Sequence, residues 1–160
     1  MLRVEKVASY ICDRYLKEYG QKIDEMKLHK LLYFMQRECI VQTSHPMFPE
    51  TFHAWKYGPV MPQIRAAYKQ ETLTDLPSPT ELSEYKSVLD EVFTRLAGSK
   101  SLTLSSLTHG ELSWQRARKG YSKYDDSDVE MSLNDIREDA ENYKRRQLML
   151  RQWNSIILKR

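Results

Sequence analysis

The sequence predicts a mainly helical protein, a compact single-domain bundle of about six to seven helices with a small extended element near residues 50–58. The chain has 160 residues, which is the length of one domain. Apolar residues recur at helical steps of three and four in several segments. Residues typical of helix starts precede three of these segments, whereas alternation typical of a strand occurs in one short stretch.

The first two predicted helices occupy the N-terminal quarter of the chain. Residues 3–19 carry one apolar stripe, and Gly20 follows, a residue that ends helices because it enters the left-handed region without strain. The second helix begins after Asp24, a good N-cap, and residues 28–39 contain its apolar stripe.

Four residues of the second helix bear on its surroundings. Tyr33 and Phe34 lie away from the centre of its stripe, so the helix is apolar on more than one face and is expected at the middle of the domain. Lys27 and Lys30 lie on the same helix, and as lysines they are expected to be solvated.

The extended element follows a helix stop at Pro46. Trp55 and Tyr57 alternate as in a short strand, and Gly58-Pro59 is expected to end that strand with a turn. Pro62 suits the first turn of a third helix.

The C-terminal half begins with a clear helix start. Residues 78–81 read Ser-Pro-Thr-Glu, a capping box with Pro at the first helical position. Residues 103–108 predict a single short helical turn, and Ser113 is expected to cap another short helix with Trp114 inward. Ser132 begins the last helix, which is predicted to run toward Ile157.

Charge is sorted along this last part of the chain. Residues 125–141 contain eight acids and one base, whereas residues 144–160 contain six bases and no acid. A solvated helix whose ends match the helix dipole explains this pattern, and a docking surface for a partner is the alternative.

Composition excludes several classes of protein. The net charge of +3 is too small by itself to indicate a nucleic-acid partner. No apolar run is long enough to span a membrane, and the charged N-terminal residues are unlike a signal peptide. Cys12 and Cys39 form no disulfide framework, so a cytoplasmic protein is expected.

Recognisable catalytic chemistry is not found in the sequence. It contains no phosphate-binding loop and no metalloprotease motif, and its histidines lack metal-ligand spacing, so no metal, cofactor or enzymatic activity is expected. An enzyme hypothesis would rest on His109, Cys39 or the acids of residues 125–128. A structural imidazole, a buried thiol and a solvated loop are the simpler interpretations.

Several strings in register resemble one family. Residues 27–34, KLHKLLYF, resemble the KLQKLLYY helix of the Panacea antitoxin domain, also called SocA-like or phage-associated GepA-like. Residues 52–62, FHAWKYGPVMP, are similar to its F-x-AW-x-x-GPV-x-P segment, and residues 68–69 match its YK close. Residues 104–118 and 131–136 resemble its LS-x-x-TH-x-E-x-PW-x-x-AR segment and the start of its last helix.

The resemblance covers about residues 4–143. We therefore divide the chain into a Panacea domain at residues 1–143 and a basic helical extension of that domain at residues 144–160. Two departures are mild: Ser113 stands where the family usually has Pro, and His29 where it often has Gln.

The resemblance implies an antitoxin that binds and neutralises a toxin protein encoded beside it, without chemistry of its own. An adaptor that hands the toxin to a protease is an alternative, as is a DNA-binding autorepressor, although no separate helix-turn-helix module is evident. Phage defence would be the corresponding biological role.

Two sets of residues follow as expectations. Enrichment of aromatic and Arg side chains at binding hot spots suggests a toxin-binding set of Tyr33, Phe34, Trp55, Tyr57, Arg145, Arg146 and Trp153. The family motifs indicate a structural set of Lys27, Leu28, Lys30, Leu31, Gly58, Pro59, Val60, His109 and Trp114.

Overall fold

The computed structural model describes residues 1–159 and confirms the mainly helical fold class. In that part of the chain, seven helices surround one antiparallel two-stranded hairpin. In chain order, the elements are α1 (Val4–Tyr19), α2 (Glu25–Thr43), β1 (His53–Trp55), β2 (Gly58–Val60), α3 (Pro62–Lys69), α4 (Pro79–Leu96), α5 (Ser101–His109), α6 (Leu112–Ala117) and α7 (Leu133–Leu158).

Helix α2 is the centre of the fold. Every residue from Lys27 to Ile40 is buried, and the helix packs against α1, α3, α4, α5 and α7 as well as β2. The expectation that this helix lies at the middle of the domain is confirmed, because a helix with apolar residues around its circumference must be covered on all sides.

Three helix ends have the caps that the local sequence predicts. The Asp24 carboxylate accepts the backbone N–H of Lys27 at 2.9 Å. Ser78 and Glu81 form the reciprocal capping box that their spacing predicts. Gly20 adopts a left-handed conformation with φ of 70°, so its backbone N–H closes the last turn of α1.

The hairpin differs from the expectation at its turn. Trp55 pairs with Gly58, so residues 56–57 form the turn, whereas Gly58-Pro59 was predicted to do so. Pro59, which has no N–H to donate, is tolerated in β2 because the carbonyl of Ala54 opposite it accepts from Arg118 Nη1. The helix that contains residues 103–108 is also longer than the single turn predicted, since α5 has nine residues.

The start of α6 corrects the prediction that Ser113 caps it. Glu111 occupies the N-cap position without a side-chain cap bond. The two oxygens of the Asp139 carboxylate instead accept the N–H groups of Leu112 at 2.7 Å and Ser113 at 3.2 Å. The cap therefore comes from α7, far along the chain, where local sequence patterns could not indicate it.

Helix α7 has two halves with different surroundings. Ser132 caps its start, and Ile136, Asp139 and Ala140 pack into the domain. Beyond Tyr143 almost all side chains are exposed up to residue 159. No helix among the described residues is apolar over a length that would cross a membrane.

Candidate partner-binding surface

The two lysines of the α2 motif are buried, which corrects the expectation that they are solvated. Lys27 is 7% exposed, and its Nζ donates to the carbonyl of Ala97 at 3.0 Å and to the Tyr15 hydroxyl at 3.2 Å. Lys30 is 1% exposed, and its Nζ donates to the carbonyl of Pro59 at 3.1 Å. Both lysines thus tie α2 to backbone carbonyls of neighbouring segments.

Lys30 and Gly58 are in close contact. A Cβ at Gly58 would lie 2.6 Å from Lys30 Cε and 2.5 Å from the Thr108 hydroxyl oxygen. Burial lowers the pKa of Lys30 to about 7, and the acids at Asp24 and Glu25 only partly oppose this effect. The lysine amine therefore lies in a largely desolvated position beside β2.

His109 and Trp114 link the α5–α6 corner to the hairpin. Their rings stack with centroids 4.1 Å apart, and the indole N–H of Trp114 donates to the carbonyl of Trp55 at 2.8 Å. Burial lowers the pKa of His109, and its hydrogen bond with the Lys56 backbone does not cancel that effect. The motif histidine is therefore a neutral ring that packs on an aromatic side chain.

A polar network lies inside the domain where α2, α6 and α7 meet. Arg37 Nη1 donates to Glu111 Oε1 at 2.6 Å, and both side chains are almost fully buried. The Tyr33 hydroxyl donates to Asp139 Oδ2 at 2.8 Å and lies 3.2 Å from Glu111 Oε2. Burial is the main cause of raised pKa values for Tyr33 and Glu111.

The exposed edge of the hairpin presents two aromatic side chains. Tyr57 is 55% exposed, whereas Trp55 is half-buried. The Trp55 indole N–H donates to Asp128 Oδ1 at 2.8 Å, and the same oxygen lies 2.9 Å from His53 Nδ1. Hydrogen bonds to Trp55 and His53 lower the pKa of the Asp128 carboxyl.

A cavity of about 730 Å³ opens between α2, the hairpin, α3 and the segment 121–128. Three aromatic side chains contribute to its wall, and two buried polar side chains of α2 border it. Its lining includes His29, Lys30, Trp55, Tyr57, Arg65 and Tyr121.

The second half of α7 forms another exposed surface. Met149, Leu150, Trp153, Ile156 and Ile157 are each between 52% and 63% exposed. Their spacing along the helix places them on one face. We call this set the α7 stripe.

Residues 28–115 match the family model of SocA-like antitoxins with a Panacea domain. The match covers more than half of the chain. No curated protein and no solved structure matches the chain. The chain belongs to the SocA-like Panacea antitoxin family. The resemblance inferred from its motifs is thereby confirmed.

Two residues expected on the toxin-binding surface lie in the core of this Panacea domain. Tyr33 is 0% exposed and holds the polar network, and Phe34 is 2% exposed and packs edge-on against Tyr33. Neither side chain can reach a partner on the surface of the fold, so the expectation that both contact the toxin is wrong. Trp55, Tyr57, Arg145, Arg146 and Trp153 remain accessible at least in part.

Groups that could support an enzyme hypothesis have other contacts in the fold. Cys39 is buried beside the Thr43 hydroxyl, and burial raises the pKa of its thiol, which makes it a poor nucleophile. Asp128 is hydrogen-bonded by Trp55 and His53. Residues 1–159 contain no cluster of three or more side chains suited to a metal ion.

His29 provides a stability prediction. Burial lowers its pKa from 6.5 to about 3, so the folded chain keeps it neutral while the unfolded chain protonates it below pH 6.5. Stability from this group is present above pH 6.5 and is lost as the pH falls toward 3. As the pH falls from 7 to 5, we expect the free energy of unfolding of the natural chain to drop by about 2 kcal/mol more than that of His29→Gln. Urea unfolding at both pH values measures the difference.

The exposed His45 allows a matched control. His45→Gln should follow the pH profile of the natural chain. Identical pH slopes for His29→Gln and the natural chain would show that His29 is not kept neutral by the fold.

Proposed function

We propose that this chain is the antitoxin of a type II-like toxin–antitoxin pair and neutralises its toxin, a protein encoded by a neighbouring gene, by binding it directly. Membership of an antitoxin family supports the class of partner. The observation that carries the binding mode is the exposed α7 stripe.

The α7 stripe has the pattern of a helix that fits a groove. Its side chains recur at steps of three and four, which lets several anchors enter one groove on a partner. Contiguous apolar surface left exposed by a folded domain often marks an interaction site. Trp153 lies near the middle of the stripe and is the residue type most enriched at binding hot spots.

Charge on the same helix indicates the chemistry of the toxin groove. Residues 142–159 contain five bases and no acid. Arg146 lies one helical turn before Leu150, on the same side as the α7 stripe. A groove with an apolar floor and acidic rim would complement this helix and raise the association rate at low salt.

The hairpin edge is the second proposed contact. Tyr57 offers an exposed ring, and Trp55 is fixed in its orientation by the bond from its indole to Asp128. A fixed aromatic side chain loses little conformational entropy on binding, which favours affinity. We propose that these two residues add to the binding that the α7 stripe begins.

The decisive experiment is co-expression with the neighbouring open reading frame. The proposed function predicts that the neighbour alone stops growth, that this chain restores growth, and that both proteins purify as one complex. Loss of the toxin in cells only when a protease is present would favour the adaptor alternative. Retention on DNA at low salt that falls steeply as salt rises would favour the autorepressor alternative.

We expect the double substitution Trp153→Ala with Arg146→Ala to weaken toxin binding by about 30-fold or more, because loss of one hot spot typically costs ~2 kcal/mol. Isothermal titration with the purified toxin measures the effect. The circular dichroism spectrum should be unchanged, since both side chains are exposed.

A control variant is available on the same helix. Leu148 and Arg151 lie on the face opposite the α7 stripe and are also exposed. Leu148→Ala with Arg151→Ala removes the same kinds of side chain and should leave the affinity nearly unchanged. If both double variants bind the toxin like the natural chain, α7 is not the contact surface.

A further inference from the structure

We propose that the cavity between α2, the hairpin and segment 121–128 binds a planar aromatic group that carries a hydrogen-bond acceptor, such as a carboxylate or a ring carbonyl. The volume of about 730 Å³ is within the range of sites for small organic ligands. The proposal concerns a site separate from the α7 stripe and does not depend on it.

A buried donor at the base of the cavity lacks an acceptor. His29 Nδ1 accepts the backbone N–H of Met61 at 3.3 Å, so a neutral ring must carry its proton on Nε2. Within residues 1–159, Nε2 makes no hydrogen bond. The closest carboxylate oxygen, on Glu25, is 3.8 Å away and already accepts from Arg65 at 2.9 Å.

Lys30 supplies further donors beside His29. Its amine donates to the Pro59 carbonyl, and the acids that act on it, Asp24 and Glu25, do so by charge without a hydrogen bond. The Lys30 amine donates two hydrogen bonds when neutral and three as an ammonium, so at least one donor remains for a ligand beside the bond to Pro59. A charged acceptor in this buried place would form short, strong hydrogen bonds.

Aromatic faces line the space above these donors. Trp55, Tyr57 and Tyr121 border the cavity, and Val60 adds apolar surface. Flat rings pack favourably against such faces in offset or edge-on arrangements. The Arg65 guanidinium lies 5.4 Å from the Trp55 ring, which keeps the indole in place at one side.

Three acids and three bases border the cavity, and among the bases Lys30 is the one that is fully buried. Glu25 is paired with Arg65, and Asp128 accepts from Trp55, so these acids are already satisfied. Lys30, by contrast, donates to a backbone carbonyl, that of Pro59, and not to a carboxylate. A ligand whose aromatic ring packs on Trp55 and Tyr57 could place its acceptor against the donors of His29 and Lys30.

Two pairs of matched probes test the proposal on the natural chain. Indole-3-acetate and 1-indanone carry the acceptor, whereas 3-methylindole and indane have the same rings without it. In ¹H–¹⁵N spectra we expect the acceptor-bearing probes to shift the Trp55 indole signal and the amides of Val60 and Tyr121, with at least tenfold higher affinity. Equal affinity within each pair, or no shift at these residues, would overturn the proposal.

Variants separate the base of the cavity from its wall. His29→Leu should reduce the affinity for indole-3-acetate about tenfold and leave that for 3-methylindole unchanged, whereas His29→Gln retains a donor and should restore binding. Tyr57→Ala, at an exposed position, should weaken both probes equally. Tyr124→Ala removes an exposed ring of segment 121–128 that does not line the cavity, and it serves as the control.

The origin of the natural aromatic group can be read from one competition experiment. Displacement of bound indole-3-acetate by the purified toxin, with His29→Leu also weakening toxin binding, would assign the cavity to a group of that protein, because covering Trp55 and Tyr57 alone would not involve the buried His29. A ternary complex with the toxin would assign it to a free small molecule. The test of the site needs no toxin, so its failure is distinct from failure of the antitoxin proposal.

Discussion

Replacing Arg37 by Met is expected to lower the free energy of unfolding by about 3–5 kcal/mol at pH 7, because it leaves a buried carboxylate without its cation. Arg37 is 4% exposed and bonds Glu111 Oε1 at 2.6 Å. Asp139, a second buried carboxylate, shares the Tyr33 hydroxyl with Glu111. Equilibrium urea unfolding followed by circular dichroism measures the loss.

The stability lost in Arg37→Met should be smaller at acidic pH than at pH 7. Burial raises the pKa of Glu111 even with Arg37 present, and the Asp139 charge adds to this while Arg37 opposes it. Without Arg37 the pKa rises further. A carboxyl with a folded-state pKa above its unfolded value of 4.5 favours folding most fully below that pH, and this contribution is lost as the pH rises through the folded pKa. The variant should therefore recover stability as the pH falls toward 4.5.

A second substitution separates the charge from the packing. The double variant Arg37→Met with Glu111→Gln removes both charges and should recover much of the lost stability, since a neutral pair needs no compensation. Arg116→Met removes an exposed arginine paired with Glu138 and should leave the unfolding midpoint unchanged. An equal loss in the single and double variants would mean that Arg37 acts through its hydrocarbon chain and not through its charge.

Signals that depend on a few neighbouring residues predicted the fold well. The caps at Asp24 and Ser78 and the glycine after α1 each act within one helical turn, so a short stretch of sequence contains all the participants. The central position of α2 was also predictable, since apolar side chains on more than one face leave no side for water.

The burial of Lys27 and Lys30 was missed because lysines are seldom fully buried. One signal could have indicated it. A helix covered on every side has no solvated face, so a lysine in its middle must find acceptors inside the protein. The acceptors are the carbonyls of Ala97 and Pro59, which are distant in sequence and belong to segments that only the fold brings together.

The roles of Tyr33 and Ser113 failed to emerge for the same reason. Tyr33 was expected at the surface because aromatic side chains are enriched at binding hot spots, yet its partners are Glu111, the N-cap of α6, and Asp139 of α7. Ser113 resembles a cap, but its N–H bonds the Asp139 carboxylate. The exposed aromatic and basic residues of α7 were predictable as a helix, whereas what they bind remains a proposal.

Replacing Gly58 by Ala is expected to destabilise the fold by about 4 kcal/mol, through two effects that act together. The backbone at Gly58 has φ of 111°, which costs a residue with a Cβ about 1–3 kcal/mol. The new Cβ would also lie 2.6 Å from Lys30 Cε and 2.5 Å from Thr108 Oγ1, and overpacking of this kind costs about 1–3 kcal/mol. Urea unfolding at pH 7 measures the loss.

Gly20→Ala is the matched control, because it separates backbone strain from steric clash. Gly20 also has a positive φ, 70°, but a Cβ there would meet no atom within 4 Å. Only the left-handed penalty applies, and we expect a loss of about 1 kcal/mol. Equal losses at both glycines would contradict the close contact with Lys30. A clearly larger loss at Gly58 would explain its place in the motif, since only Gly lets β2 approach the amine that bonds Pro59.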